Sequence, residues 1–497
     1  MCMKTEYMFL NSIVPGPKNP KKLIDVCLQP LIDELMELWE VGVRTYDASR
    51  KEIFVMRAAL IWTINDFPAY AMLSGWSTAG LLACPSCMEN TKSFQLQHSR
   101  KACWFDCHRE RLEIDHPFRR NKKDFYKGRQ ELSTAPPMLT GDQIWERVSE
   151  ISTVIDDPKS EPSGYGKDHK WTKQSILWRL PYWKKLLLRH NLDVMHIEKN
   201  VFDNVFNTVM DDRHKTKDHL NARKDIKLYC NRPALQVDDN FVGAKPKAIY
   251  TLTKDERMKV FEWVKRLKFP DGYASNIGRC VHIDEGRLSG MKSHDCHVFM
   301  ERLLPTALKE FLPPAIWGPI AELSMFFQSI CSSNLVVEHM EQLESLAPLM
   351  LCKLERIFPP SFFDSMEHLL VHLPYEAKIG GPPQYRWMYK VERFLYHLKQ
   401  KIGNKAHVEA SICEAYLQEE ISNFAEHYFK PHVSTKKNRP SRNNDFSGVV
   451  TVENSIFNYT GHSSGKGKKR CLSNSKEKHA AHTYILLNCD EVKDYIE

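Results

Sequence analysis

The sequence has 497 residues, 42% of them hydrophobic and 11% aromatic, with a formal net charge of +8. That is too much chain for one ordinary core, so two or three domains are expected, and it is too apolar for a disordered protein. Fourteen scattered cysteines without a secretory leader argue for reduced thiols in an intracellular protein, and the best apolar run, 54–64, is broken by Arg57, so neither signal peptide nor membrane span is expected.

In chain order, VPGPKNPKK near the start is a loop, because its prolines and glycine forbid regular structure. A helix is expected over 30–39, with Leu31, Leu35 and Leu38 on one face. The run 53–64 reads as a buried strand that ends at Asn65-Asp66-Phe67-Pro68. Asp66 then has two readings of equal weight: a carboxylate delivered by a rigid strand end, or a cap for the turn before Pro68. Beyond it, Cys84 and Cys87 form a C-x-x-C in a Gly-flanked loop, a spacing that lets two thiolates reach one zinc at about 2.3 Å. A redox pair is the weaker alternative, since no βαβ pattern puts Cys84 at a helix N-terminus. Segment 103–127 interleaves Trp104, Phe105, Phe118, Phe125 and Tyr126 with basic residues, which suits a nucleic-acid surface or else a folded loop with a solvated face. Segment 140–171 reads as a polar excursion.

The stretch LPYWKKLLLRHNLDVMHIEKNVFDNVFNTVMDD, residues 180–212, has a helical period through Leu192, Met195, Val201, Val205 and Met210. Asp193 and His196, three apart, can converge near its apolar face, with Glu198 following. The spacing suits a metal site or a surface helix with capping charges. A second helix is expected after Thr253, with Val260, Trp263, Val264 and Leu267 in period and Pro270 as its stop. From about 288 onward the sequence reads as all-helical, punctuated by proline pairs at 313–314 and 359–360. His368 and His372 are spaced i, i+4 with Glu376 beyond, but without H-E-x-x-H they read as structural histidines, and SHDCH at 293–297 reads as a helix cap. Segment 431–480 carries ten Lys/Arg against three acidic residues, seven of the eight net charges. It reads as a disordered basic linker whose Lys436, Lys437, Arg439, Lys466, Lys468, Lys469 and Arg470 meet phosphate, with GKGKKR resembling a nuclear-import patch; a solvated linker with no partner is the alternative.

LPYWKKLLLRHNLDVMHIEKNV resembles a signature of the plant CACTA-type (En/Spm-like) transposases. KSHDCHVFMERLLP, FPPSFFDSMEHLLVHL, GGPPQYRWMYKVERFLYHLK and GNKAHVEASICEAY resemble the domain of unknown function that follows in those elements. The resemblance implies an α/β N-terminal portion, a partial RNase-H-like DDE core with a zinc-binding insertion, then a mainly α-helical domain and a disordered basic tail. The implied boundaries are 11–225, 226–287, 288–430, 431–480 and 481–497. Family motif order assigns Asp66 as second catalytic carboxylate, Glu198 as the last, and Cys84, Cys87, His196 and Asp193 as zinc-site candidates. It further implies Mg²⁺ if catalytic, DNA as partner, other transposase subunits or a homo-oligomer, no small-molecule substrate, and the nucleus. The family's first catalytic Asp lies upstream of the stretch resembling IVPGPKNP, which begins about ten residues into this chain. The expectation is therefore a transposon-derived protein lacking the first Asp and inactive alone; the alternative is an active Mg-dependent transposase if that segment is supplied.

Overall fold

The computed structural model describes residues 7–125, 128–157, 159, 161–163, 168–241, 243–270, 273–429 and 475–487. The basic segment 431–474, with its seven expected phosphate-binding residues, lies outside them, as does Tyr126. Residues 1–409 form one compact unit and 410–497 another. In the second, the described parts are helical: the remainder of a helix that begins at Val408, and Ser475–Leu487.

The N-terminal part is mixed. Helix α1, Ile24–Glu40, starts six residues before the expected position and carries Pro30 inside it. The cause is tertiary: Asp25 in its first turn is buried against Lys173 and accepts from Ile176 N–H at 3.1 Å, which draws the helix start inward. Strands β1, Val43–Asp47, and β2, Glu52–Met56, form an antiparallel hairpin. The long buried strand expected over 53–64 is thus replaced by an exposed hairpin arm, a six-residue break, and the two-residue strand β3, Thr63–Ile64. All five β2 residues are exposed, because two strands alone cannot cover both faces of a sheet.

β3 pairs in parallel with the strand β6, His190–Asn191; between them in sequence, β4, Phe94–Gln95, and β5, Ala102–Cys103, pair antiparallel. Helix α2, Phe67–Ser74, follows β3 and helix α5, Val194–Val209, follows β6. Two short helices lie between, α3, Pro117–Arg120, and α4, Gly141–Val148, so the expected excursion over 140–171 contains regular structure. A capping box between Thr140 and Gln143 starts α4, and Ile144 and Val148 pack on Trp76 and Trp171.

The remainder of the first unit is helical: α6, Leu220–Tyr229; α7, Lys254–Arg266; α8, Ser293–Val298; α9, Leu304–Leu308; α10, Pro314–Ile330; α11, Val337–Glu355; α12, Ser365–Leu369; α13, Leu373–Gly380; and α14, Met388–Gln400. A π-helical segment, Phe299–Leu303, joins α8 to α9, and a small hairpin, β7, Val281–His282, with β8, Arg287–Leu288, precedes α8. α7 is capped by Thr253 and buries Val260 and Val264 as its period dictates. The expected boundary near 280–287 is not a gap in packing. One apolar core runs from Cys84 through α5, where Val201, Phe202, Val205 and Val209 are buried, to Ala377 in α13.

Of the expected nucleic-acid surface, the described residues 103–125 form a folded loop whose rings turn inward while Arg120, Lys122 and Lys123 stay exposed, which fits the alternative of a loop with a solvated face. Trp104, Phe105 and Phe125 are buried, and Arg109, 1% exposed, donates to Asp106 and to the carbonyls of Phe118, Asn121 and Arg129. The aromatic rings fill a core and the guanidinium satisfies loop carbonyls, so neither is free to meet a base or a phosphate.

Candidate metal centre and acidic group

Cys84 and Cys87 sit in a tight loop in which Met88 N–H donates to Cys84 O at 2.9 Å and Cys87 N–H to Cys84 Sγ at 3.3 Å. The segment that follows docks on the end of α11 and the turn beyond it. Trp104 N–H donates to Phe363 O, Asp106 N–H to Glu355 Oε1, and His108 Nδ1 pairs with Glu355 at 2.6 Å. That docking brings the loop against α12 and α13. His368 Nε2 lies 3.4 Å from Cys87 Sγ, and His372 Nε2 lies 3.3 Å from both Cys84 Sγ and Cys87 Sγ. All four residues are buried, and their donor atoms lie within 4.8 Å of one another.

Two thiols and two imidazoles are a zinc donor set, and tetrahedral bonds of about 2.3 Å to sulfur and 2.0 Å to nitrogen separate S from N by about 3.5 Å. The observed separations match to within a few tenths of an ångström, so this Cys₂His₂ cluster can hold a metal ion. Burial pushes the Cys84 thiol well up, whereas Cys87 is held well below the usual thiol range by its hydrogen bond from Cys84 and by the two histidines. Arg111 adds a contact to Cys87 Sγ at 3.2 Å. Burial lowers His368 to about 4, so its imidazole is neutral and its lone pair free for a cation. The view of His368 and His372 as merely structural is corrected here. Their own helices offer no third ligand, and the thiolates arrive from 281 and more residues away.

Asp193 and His196, expected near the cysteines, lie in a different group. Asp66 and Asp193 each lie two residues beyond a paired strand end, Ile64 of β3 and Asn191 of β6, in a parallel pair. Each caps the helix that follows. Asp66 accepts from Ala69 N–H at 2.8 Å, and Asp193 accepts from Met195 N–H at 3.2 Å. Both readings of Asp66 thus describe one residue, at a strand end and at a helix cap. Asp193 is nearly saturated, since it also takes Met388 N–H at 3.3 Å and His196 Nδ1. The other ring nitrogen of His196 faces Glu392 Oε1 at 4.0 Å, from α14. Its pKa is raised, first by the bond to Asp193, with Glu392 and Asp66 contributing charge. Asp193 and Glu392 therefore flank the two ring nitrogens of His196, and Asp66 is near enough to add its charge.

Glu198 is not in this group. Two residues after His196 on the same helix, it projects to the opposite face, because successive positions turn by about 100°. It is 1% exposed and bound to His297 Nδ1 at 2.7 Å. Two residues that the sequence reasoning passed over thus enter the geometry: Glu392, inside a quoted family motif, and His297, inside the segment read as a cap. Asp295, not His297, does the capping, accepting from Lys292 N–H at 3.0 Å.

The N-terminal part is mixed α/β, and the helical part that follows supplies the two histidines of the Cys₂His₂ cluster. Residues 1–151 match the model of the transposase family tnp2, and residues 330–444 match that of a domain of unknown function, DUF4218. The chain is thus similar to that transposase family over its first 151 residues and to the associated domain over 330–444. No curated protein and no solved structure matched the chain. Among the described residues no helix is long and apolar enough to cross a membrane.

Proposed function

We propose that this is a transposon-derived protein of the nucleus whose chemistry, when complete, is Mg²⁺-dependent DNA strand cleavage and transfer at the group formed by Asp66 and Glu392. The observation that carries the reading is the parallel pair β3–β6, which sets Asp66 and Asp193 each two residues beyond a strand end, with Glu392 next to His196. Strand ends open toward solvent and hold carboxylates still, which is what paired Mg²⁺ ions about 4 Å apart require. Glu392 takes the place that motif order gave to Glu198, because it is half-exposed where Glu198 is sealed in.

Asp193 is engaged by two backbone N–H groups and His196, which leaves Asp66 and Glu392 as two available carboxylates. Two-metal phosphoryl transfer needs more, so the chain alone is inactive, and a further carboxylate from another segment or subunit completes it. The Cys84–Cys87–His368–His372 cluster holds zinc and fixes the loop after α2 to α12 and α13, so that the acidic group is buttressed from behind. DNA is the partner, and the basic segment 431–480 is its phosphate-binding arm.

The test is cleavage of duplexes bearing the element's ends by the purified chain in Mg²⁺ or Mn²⁺. No nicking or strand transfer is expected. Turnover lost in Asp66→Ala and Glu392→Gln would refute inactivity while upholding the site. Turnover that survives Glu392→Gln and disappears in Glu198→Gln would refute the site.

A further inference from the structure

Behind α5, on the face away from His196, lies a second cluster that the acidic group does not use. Glu198 from α5, His297 from α8 and Cys331 at the end of α10 place one donor atom each within 4.8 Å of one another. Glu301, from the π-helical segment, adds a carboxylate 3.7 Å from His297 Nδ1 and close enough to Cys331 to act on its thiol. Three helices whose donors are separated by up to 133 residues therefore converge on one point, with Glu301 beside it.

The polar accounting of this pocket does not close. Glu198 Oε1, Glu301 Oε1 and the hydroxyl of Tyr389 are all buried without a hydrogen-bond partner. Glu198 is 1% exposed, and a buried carboxylate oxygen with nothing to bond costs several kcal/mol. Glu198 and Glu301 both face His297, so two carboxylates and a thiol meet at one imidazole. A divalent ion supplies the missing charge. Three anionic donors and one neutral imidazole around it leave one net negative charge, which Arg386, ion-paired with Glu376 at 3.4 Å but also bearing on Cys331, offsets in part.

We propose that Glu198, His297, Glu301 and Cys331 form a second metal site, taking a divalent transition ion, zinc first, through one imidazole, one thiolate and two carboxylates. A single thiolate with imidazole and carboxylate favours zinc over Mg²⁺ or Ca²⁺, which take oxygen ligands. With ligands drawn from three helices, the ion ties α5 to α8 and α10. This site does not depend on the first: it shares no ligand with the Cys84–Cys87–His368–His372 cluster.

The experiment strips the full-length chain of metal, reloads it with Zn²⁺ and counts equivalents by elemental analysis. Two equivalents are expected for the wild type, one for Glu198→Gln, one for Cys331→Ser, one for Cys87→Ser, and none for Cys87→Ser combined with Cys331→Ser. One equivalent in the wild type, lost in Cys87→Ser and retained in Glu198→Gln with an unchanged or higher melting temperature, would overturn the proposal. That outcome is expected of a metal-free pocket sharing a proton, which a neutral glutamine satisfies. One equivalent lost in Cys331→Ser and kept in Cys87→Ser would uphold this site and defeat the other. Should the variants fail to fold, Co²⁺ titration of the wild type decides. The second equivalent must bring new thiolate-to-cobalt absorption, and a second equivalent without it overturns the assignment.

Discussion

Replacing Cys84 with serine tests the Cys₂His₂ cluster most directly, because it removes one donor and leaves the volume nearly unchanged. All four donors are buried, with exposures of 0% and 3% for the cysteines and 3% for each histidine, so no water can stand in for the lost ligand. An ion held at a free concentration a thousandfold above its dissociation constant stabilises the folded chain by about 4 kcal/mol. In a unit of more than 250 residues each kcal/mol moves Tm by about 2 °C or slightly less, so Cys84→Ser should melt roughly 5–8 °C below the wild type in zinc. The assay is thermal unfolding with and without a chelator, alongside zinc content. If the whole effect passes through the metal, chelated wild type and chelated Cys84→Ser should melt together. A wild type without zinc, or a variant that melts lower by the same amount with the chelator present, would refute the reasoning.

His190 supplies a pH test. Burial, with Arg189 and Lys173, lowers its pKa to about 3, so the folded state stays unprotonated while the unfolded chain takes a proton below about 6.5. Its contribution is intact above pH 6.5 and is lost as pH falls toward 3, amounting to about 2 kcal/mol by pH 5. The ring retains some solvent contact, so that figure is an upper bound, and His190→Asn should flatten the slope in urea melts between pH 7 and 5. Phe202, stacked on Phe206 and packed against Phe299, is 1% exposed; Phe202→Ala should cost about 3–5 kcal/mol by denaturant unfolding. Asp218 and Arg223 form a fully buried pair with Nη2–Oδ2 at 2.6 Å. Arg223→Met should destabilise by about 3–5 kcal/mol, and Asp218→Asn in the same chain should recover part of that loss. Deleting 434–480 should remove most DNA affinity and flatten its salt dependence, whose slope of log affinity on log salt should be about −4 to −5 if roughly five cations meet phosphates.

Local patterns were readable where local physics decides. The period of α5 and the Thr253 cap of α7 were legible because burial and capping act within a few residues. Cys84 and Cys87 were singled out because two thiols three apart have few other uses. Their partners were not, since His368 and His372 are set by the docking of Trp104 and Asp106 on Phe363 and Glu355, and no spacing rule spans such an interval. His196 and Glu198 looked like one site in the sequence because they are neighbours, yet a helix turns them apart. The rings of Trp104, Phe105 and Phe125 looked exposed because basic residues surround them. Arg109 instead spends its charge on Asp106 and on loop carbonyls, a use that composition cannot distinguish from a phosphate-binding role.

The distance in sequence between the two halves of the Cys₂His₂ cluster also sets an order of events during synthesis. His372 follows Cys84 by 288 residues, and β3 must wait 127 residues for its partner β6. At about 5–20 residues per second, the thiols leave the ribosome roughly 15–60 s before the histidines that complete their cluster. Throughout that interval the C-x-x-C loop is a nascent dithiol with no imidazole to share it, open to oxidation or to the wrong ion. The N-terminal part of this protein therefore matures late, as a consequence of where its last ligands are encoded.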